Sequence, residues 1–347
     1  MKVFRYFYLF IFFSGILFSQ SPKISCKNFY ICSGNIGDSE ISMYLYINGN
    51  NITGKYYYKT INQFIHIKGT LYQNELYLEE RINNRITGYF KGYLSDDFVF
   101  SGQWSSYDSD NKYDFKFTNN KSYPINNLEI ITSSLETDFN DKKFESSKDA
   151  VIIKNQKNLD NLDKISVDVD GIQSLNHDRV EFLLNDSVSQ EYDTWKISSY
   201  SEDDFYMRKE INVSYLDNNI ISFSLYNYSY TGGMHGIYNT VSSIYLISSG
   251  ERIGQNLSEL IENKNDIELI NLMRRKLLRN YTDKDFFDFY SIELSNIYDI
   301  TPYGIKFIWP LYKIAGYAQG IIEIDFTYLE LKPFIKKDSK FYYLFDR

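Results

Sequence analysis

The chain has 347 residues, long enough for two domains, with 45 acidic against 37 basic residues and a formal net charge of −8. Phosphate recognition needs a basic face, so this balance argues against nucleic acid and favours a basic partner. The 33 tyrosines and 26 phenylalanines point to β-structure and to surface anchoring of proteins or sugars.

The first nineteen residues have the form of a secretion signal. Lys2 and Arg5 open it, Tyr6 to Phe18 is apolar, and Leu17 and Ser19 fit a peptidase site before Gln20. The apolar run falls short of the roughly 20 residues a membrane helix needs, and nothing later is apolar enough to span a bilayer. The expectation is therefore an exported protein, periplasmic or extracellular, with residues 1–19 removed. Cys26 follows closely, but Lys23 at the third position before it spoils a lipoprotein box. In an oxidising compartment Cys26 and Cys32, the only cysteines, could close a small disulfide loop; two independent thiols are the alternative. With no histidine near them in sequence, no metal site is expected.

From Ile41 to Asn119 short alternating segments follow one another. Strands are predicted at Ile41–Ile47, Ile52–Thr60, Gln63–Leu71, Glu75–Arg81, Ile86–Leu94, Phe98–Trp104 and Tyr113–Thr118, separated by turn formers such as Asn48-Gly49-Asn50-Asn51, Gln73-Asn74 and Asn83-Asn84. This reads as an antiparallel meander, an open sheet or a small barrel, over residues 20–121. A weak repeat of apolar, hydroxyl, glycine, any, aromatic recurs at Ile52–Tyr56, Ile86–Phe90 and Phe100–Trp104. Mid-strand glycines at matching positions imply coiled strands with aromatics over bare backbone. The alternative is a concave ligand face of Tyr57, Tyr89 and Trp104.

Residues 122–164 are rich in Asn, Asp, Lys and Ser and read as a linker with short strands at Leu128–Thr132 and Ala150–Lys154. Beyond it, 165–347 reads as a mixed α+β domain. Lys164–Val169 is predicted as a strand, and His177 to about Tyr192 as a helix with Val180, Leu183, Leu184 and Val188 on one face. Tyr206–Tyr215 and Ile220–Tyr230 read as a hairpin, followed by a strand at Thr240–Ile247. Leu257–Glu262 is a short helix and Asp266–Tyr281 a long one, whose Arg274, Arg275, Lys276 and Arg279 match the helix dipole as a solvated end. Strands are predicted at Ile292–Leu294, Ile297–Ile300, Gly304–Trp309 and Ile321–Leu331. The fold class is thus α+β, a meander followed by a mixed domain.

The most unusual stretch is Tyr228 to Asn239, a loop between two strands with Gly232, Gly233 and Gly236 around His235. The run Tyr230-Thr231-Gly232-Gly233-Met234-His235-Gly236, followed by Phe307 to Gly320 with Tyr312 and Tyr317, resembles the extracytoplasmic RsiV/PdaC-type domain of unknown function. That domain occurs in a lysozyme-sensing anti-sigma factor and beside the catalytic domain of a peptidoglycan deacetylase. The resemblance covers roughly the C-terminal half. It implies non-enzymatic recognition in the cell envelope, with a lysozyme-like protein as partner. A cell-wall glycan stacked on the N-terminal tyrosines is the other candidate. Tyr230, Thr231, Gly232, Gly233, His235, Gly236, Tyr312 and Tyr317 are the candidate contact residues.

No catalytic residue and no cofactor is predicted. His66, His177 and His235 stand far apart, without the metal ligands of the deacetylase domain. Serine-nucleophile and phosphate-loop signatures are absent. Asp168-Val169-Asp170-Gly171 matches part of a calcium loop but lacks its first ligand and its closing glutamate. His235 has three readings: a structural hydrogen-bonder, a contact residue, or a general base with no evident orienting partner.

Overall fold

The computed structural model describes residues 21–58, 63–120, 123–125, 128–153, 162–166, 177–198 and 203–346. The expected signal and the partial calcium loop at 168–171 lie outside the described residues.

The N-terminal part is a closed barrel. Its strands are β1 (Lys23–Ile36), β2 (Ser39–Asn48), β3 (Asn51–Tyr58), β4 (Ile65–Tyr72), β5 (Glu75–Ile82), β6 (Arg85–Leu94), β7 (Val99–Ser106) and β8 (Lys112–Asn119). Each pairs antiparallel with the next, and β8 returns to β1 over Cys32–Ile36. The tight turns are chemically apt. Gln73, Asn74, Asn83 and Asn84 all sit at positive φ, the backbone of two-residue turns that match strand twist. Every predicted meander strand forms, with its described ends within two residues of those expected; residues 59–60, the predicted end of the second strand, lie outside the described residues.

The glycine repeat reports the coil of the strands. A Cβ on Gly69 would lie 1.9 Å from the Tyr77 carbonyl oxygen on β5, so only a bare α-carbon permits that approach. At Gly88 it would meet the Trp104 indole at 2.7 Å, which is an aromatic packed over exposed backbone. Trp104 therefore takes the covering role rather than the ligand-facing one. Inside, Met43, Leu45, Ile52, Tyr56, Leu78, Phe90, Phe100 and Phe117 are buried and pack together, so the barrel is a filled core. Its one buried carboxylate, Glu80, accepts from Trp104 Nε1 at 2.9 Å, from Thr87 Oγ1 at 2.6 Å and from the Tyr56 hydroxyl. Burial, then the Glu80 charge, pushes the Tyr56 phenol far above its ordinary range.

β1 is the strand that sequence reading missed, and it corrects the disulfide expectation. Cys26 and Cys32 are not joined by a disulfide, and both lie on this one extended strand. At about 3.3 Å per residue they stand roughly 20 Å apart, far beyond the ~7 Å Cα limit for a bridge. The strand also belongs to two structures. Its C-terminal half closes the barrel, while Lys23–Phe29 pairs with β9 (Leu128–Phe139). β9 and β10 (Lys142–Ile153) form a hairpin of two twelve-residue strands where only short strands were expected, turned by Asn140 and Asp141 at positive φ.

The sheet continues through β11 (Phe205–Leu216), β12 (Ile220–Tyr230), β13 (Ile237–Leu246) and β14 (Arg252–Ile253), giving fourteen strands in one hydrogen-bonded array. Only β10 and β11 run parallel, joined by a crossover containing α1 (162–166) and α2 (His177–Ile197). Residues 162–166 are helical, so 164–166 do not form the start of the strand expected at Lys164–Val169, whose remainder lies outside the described residues; Leu162 and Ile165 are buried against β-strand side chains. Val180, Leu184, Val188 and Trp195 of α2 are buried, so the predicted apolar face is the packing face, while Leu183 borders a groove.

A three-stranded sheet, β15 (Ile297–Thr301), β16 (Gly304–Trp309) and β17 (Ile322–Thr327), shares a core with β11–β13 and with α3 (Ile267–Leu277). Two expectations change here. Ile292 to Leu294 is a connection outside any strand, with Ile292 and Leu294 buried and Glu293 exposed. Ile321–Leu331 splits into β17 and α4 (Tyr328–Leu331), because Thr327 and Glu330 form a capping box that starts a helix. The basic end of α3 is not wholly solvated either. Lys276 is 7% exposed and pairs with Glu330 at 2.9 Å. Asp266 caps α3, accepting from the backbone of Glu268 and Leu269. Among the described residues no helix is long and apolar enough to cross a membrane.

Candidate functional site

The two unusual motifs, far apart in sequence, meet in space. The loop 231–236 joins β12 to β13, and Pro310 to Gly320 lies beside it. Gly232 and Gly233 adopt φ of 102° and 93°, a region that favours glycine, and a Cβ on Gly232 would also strike Asp203 Oδ2 at 2.4 Å. The Tyr230 hydroxyl donates to the Gly233 carbonyl at 3.1 Å and braces the turn. Met234 is left at the tip, 100% exposed.

His235 is held between two tyrosines. Its ring stacks on Tyr317 at 3.8 Å between centroids, and the Tyr317 hydroxyl donates to the Gly236 carbonyl at 2.8 Å. The Gly236 carbonyl, 3.2 Å from Nδ1, can only accept, so Nδ1 carries the proton. Nε2 is then the acceptor for the Tyr312 hydroxyl at 3.2 Å. Tyr312 itself sits at φ 62°, uncommon for a bulky residue, and stays 51% exposed. The ring row continues inward through Tyr238, 6.0 Å from Tyr317, to Tyr226, 6.4 Å further. Gly236 is small because Tyr228 packs over it, at 2.5 Å from where a Cβ would be.

Of the predicted contact residues, His235, Gly236, Tyr312 and Tyr317 are brought into one cluster. Tyr230 and the two φ-positive glycines support the loop, and Thr231 is exposed beside it. Tyr226, Tyr228 and Tyr238 were missed, since on alternating strands they look like any outward tyrosine. A groove of about 460 Å³ runs from Leu183 and Ser187 of α2 to Tyr228, Ile237 and Tyr238 at the base of the loop. The hydrogen-bond partners of His235 are the Gly236 carbonyl and the Tyr312 hydroxyl, and neither is a carboxylate that would orient it as a base. The surface offers rigid rings with hydrogen-bonding edges.

A second, polar cavity of about 390 Å³ lies where the barrel meets the later strands, lined by Lys55, Phe64, His66, Asn212, Ser214, Asp299, Tyr303 and Lys306 among others. The barrel docks there through Phe64, 5.5 Å from the Tyr303 ring, and through Tyr46, whose hydroxyl accepts the Val213 N–H at 2.9 Å. Buried Asp299 accepts from three hydroxyls, Ser214 at 2.6 Å, Ser222 at 2.8 Å and Ser242 at 3.1 Å. A bulge between Val213 and Tyr215 turns Ser214 toward it. Burial lowers the Lys55 pKa to about 8, against the pull of Asp299. Its ammonium rests over the Phe64 ring at 4.2 Å. Burial acts on Lys306 in the same sense, but Glu323, 2.7 Å away, and Asp325 outweigh it and raise its pKa.

The fold brings together residues that are distant in sequence. No histidine is near the cysteines in sequence, yet α2 begins with His177 placed against Cys26 of β1 and Glu129 of β9. Among the described residues this is the one grouping of three or more His, Cys, Asp or Glu side chains close enough to share an ion.

No family model and no curated protein matches the sequence. Solved structures are similar in part. A member of the DUF3298 family from Bacteroides fragilis shows 16% identity over 60% of this chain and 94% of its own, with a TM-score of 0.45. A DUF3298 family protein from Pseudomonas aeruginosa shows 15% identity over 59% of this chain and 94% of its own, with a TM-score of 0.42. No residue role is carried over from either.

Proposed function

We propose that the protein is exported and acts without catalysis, as a binding protein of the cell envelope that contacts a protein partner through the His235 platform. The observation that supports this reading is the convergence of two distant segments on an exposed row of rings, with Met234 projecting from it. Tyrosine and histidine give a partner rigid rings at small rotamer cost with hydrogen bonds at the edge, and methionine adds a flexible apolar contact that adapts to the partner's shape. The charge balance favours a basic partner, and the sequence resemblance suggests a lysozyme-like protein. Asp203 beside Gly232 and Asp285, 3.4 Å from Gln319, put acids at the rim.

Calorimetry of the full mature chain with a c-type lysozyme tests this. Binding should weaken with salt, because rim charges are screened over about 8–10 Å. Tyr317→Ala should weaken it about tenfold or more, as loss of a central aromatic anchor does, with the circular dichroism spectrum unchanged. Absence of binding at high micromolar concentration, or indifference to Tyr317→Ala, would remove this partner or this surface from consideration. Deleting residues 20–121 is not a clean test, because β1 is common to the barrel and to the sheet beyond it.

A glycan reading has one observation in its favour. On the barrel wall Tyr77 stacks with Tyr89 at 5.9 Å, and Tyr89 faces Tyr107 at 6.3 Å. Such a row can stack sugar rings. Binding of a peptidoglycan fragment that tolerates salt and is lost in Tyr77→Ala would favour it over the protein partner.

A further inference from the structure

The geometry points to a binding site for a single zinc-like divalent cation at the start of α2, with Cys26, Glu129 and His177 as ligands. One ligand atom from each residue lies within 4.8 Å of the others. The three come from different elements that the fold holds rigidly. Cys26 pairs in register with Ile131 on β9, two residues from Glu129, so the thiol and the carboxylate are diagonal neighbours on one sheet face. His177 opens α2, whose Val180 and Leu184 pack on that same face against Ile131, Ala150 and Ile152.

The histidine is already oriented for the role. Its Nδ1 faces Glu181, one turn along α2, at 3.2 Å, and its Nε2 faces Glu129 at 3.8 Å. A carboxylate on one ring nitrogen fixes the tautomer and leaves the other nitrogen's lone pair for the metal. In a tetrahedral zinc site with bonds of about 2.0–2.2 Å, nitrogen and oxygen ligands stand roughly 3.4 Å apart. His177 Nε2 and Glu129, 3.8 Å apart, are within a few tenths of an ångström of that spacing, and the thiol, no more than 4.8 Å from either, closes by at most about an ångström.

The donor set also selects the ion. A thiolate is soft, an imidazole borderline and a carboxylate hard, a mixture that suits zinc and disfavours magnesium and calcium, which take oxygen ligands. Thiolate and carboxylate together carry two negative charges, which a divalent ion neutralises in a place where Glu129 is largely buried. Three protein ligands leave the fourth position for water. The site would tie β1 and β9 to the first turn of α2.

The test uses the untagged full mature chain, stripped with chelator and kept reduced. Titration with Co²⁺ should saturate at one equivalent, with a thiolate-to-cobalt charge-transfer band in the near ultraviolet and visible bands of tetrahedral intensity. Zn²⁺ should displace it. Cys26→Ser should abolish the charge-transfer band, and His177→Ala and Glu129→Gln should each weaken binding at least tenfold. Glu181→Gln should weaken it by about tenfold, as loss of a partner behind a ligand does. Cys32→Ala, inside the barrel, should change nothing in the spectrum. Cobalt binding without a charge-transfer band overturns the site. So does loss on Cys26→Ser with His177→Ala unaffected, which reports a lone thiol. Absence of saturable binding in the stripped chain overturns it as well, and a Zn²⁺-dependent rise in Tm present in the native chain but missing in His177→Ala supports it independently of the spectrum.

Discussion

Replacing Asp299 by alanine should destabilise the protein by about 3–5 kcal/mol, the cost of breaking a buried charged network. Asp299 is 5% exposed, and its Oδ1 is the shared acceptor of Ser214, Ser222 and Ser242. Each hydroxyl left without an acceptor costs about 1–3 kcal/mol when water cannot replace it. The loss falls on β11, β12, β13 and β15 together, so no single strand can relax to absorb it. Asp299 also opposes the burial of Lys55, and that offset goes with it. Asp299→Asn keeps an acceptor oxygen and removes only the charge, so it should lose less than half as much. Urea midpoints at constant slope measure both. A midpoint for Asp299→Ala within experimental error of the native one would show that the serine cluster does not hold these strands together.

Lys55→Met should have the opposite sign, stabilising the protein at pH 7 by on the order of 2 kcal/mol. The lysine titrates at about 8 in the fold and near 10.4 in an unfolded chain. Between those values the unfolded chain holds more protons, so native stability climbs as pH rises through this window. Below pH 8 the ammonium is charged in both states and its burial cost is fully present. Methionine fills similar volume over Phe64 and Tyr44 without that cost, though it forfeits the cation–π contact. The stabilisation of Lys55→Met relative to the native chain should therefore be greatest at pH 7 and shrink toward zero near pH 10.5. Urea midpoints at pH 7 and pH 10 give the comparison. A variant less stable than the native chain at pH 7 would mean that the charge is well compensated where it lies. The expected result would mark Lys55 as kept for a reason other than stability.

The parts of this fold that sequence revealed are those set by local chemistry. The barrel strands alternate, and Gln73-Asn74 and Asn83-Asn84 can adopt positive φ, so strand and turn positions followed directly. The glycine repeat spoke for coiling, although not for closure. Closure depends on β1, whose alternation over Lys23–Lys27 slips phase at Asn28, where its second edge passes from β9 toward β8. Likewise β9 and β10 carry Ser, Thr, Glu, Lys and Asp on faces that α2 and the strand junction cover, so polar composition disguised long strands as a linker. At the platform, clustered glycines and aromatics announced His235, Tyr312 and Tyr317. The polar cavity announced nothing. Lys55, Ser214, Ser222, Ser242 and Asp299 come from five strands, and each reads there as an ordinary outward residue. Only the bulge after Val213, invisible in the sequence, turns Ser214 inward.

The sharing of β1 also fixes an order of events during folding. This strand comes first in sequence among the described elements, and β2 can pair with it locally. Its remaining edges must wait, because Cys32 faces Asn119 on one side and Ile24 faces Ser133 on another. Pairings this distant in sequence are slow to form, since loop-closure entropy is lost before any contact compensates it. Until residue 133 has been made, the N-terminal half of β1 is an open edge, the kind of surface on which chains aggregate. Its charged Lys23 and Lys27 on that half are the residues that would keep such an edge apart from its copies in the interval.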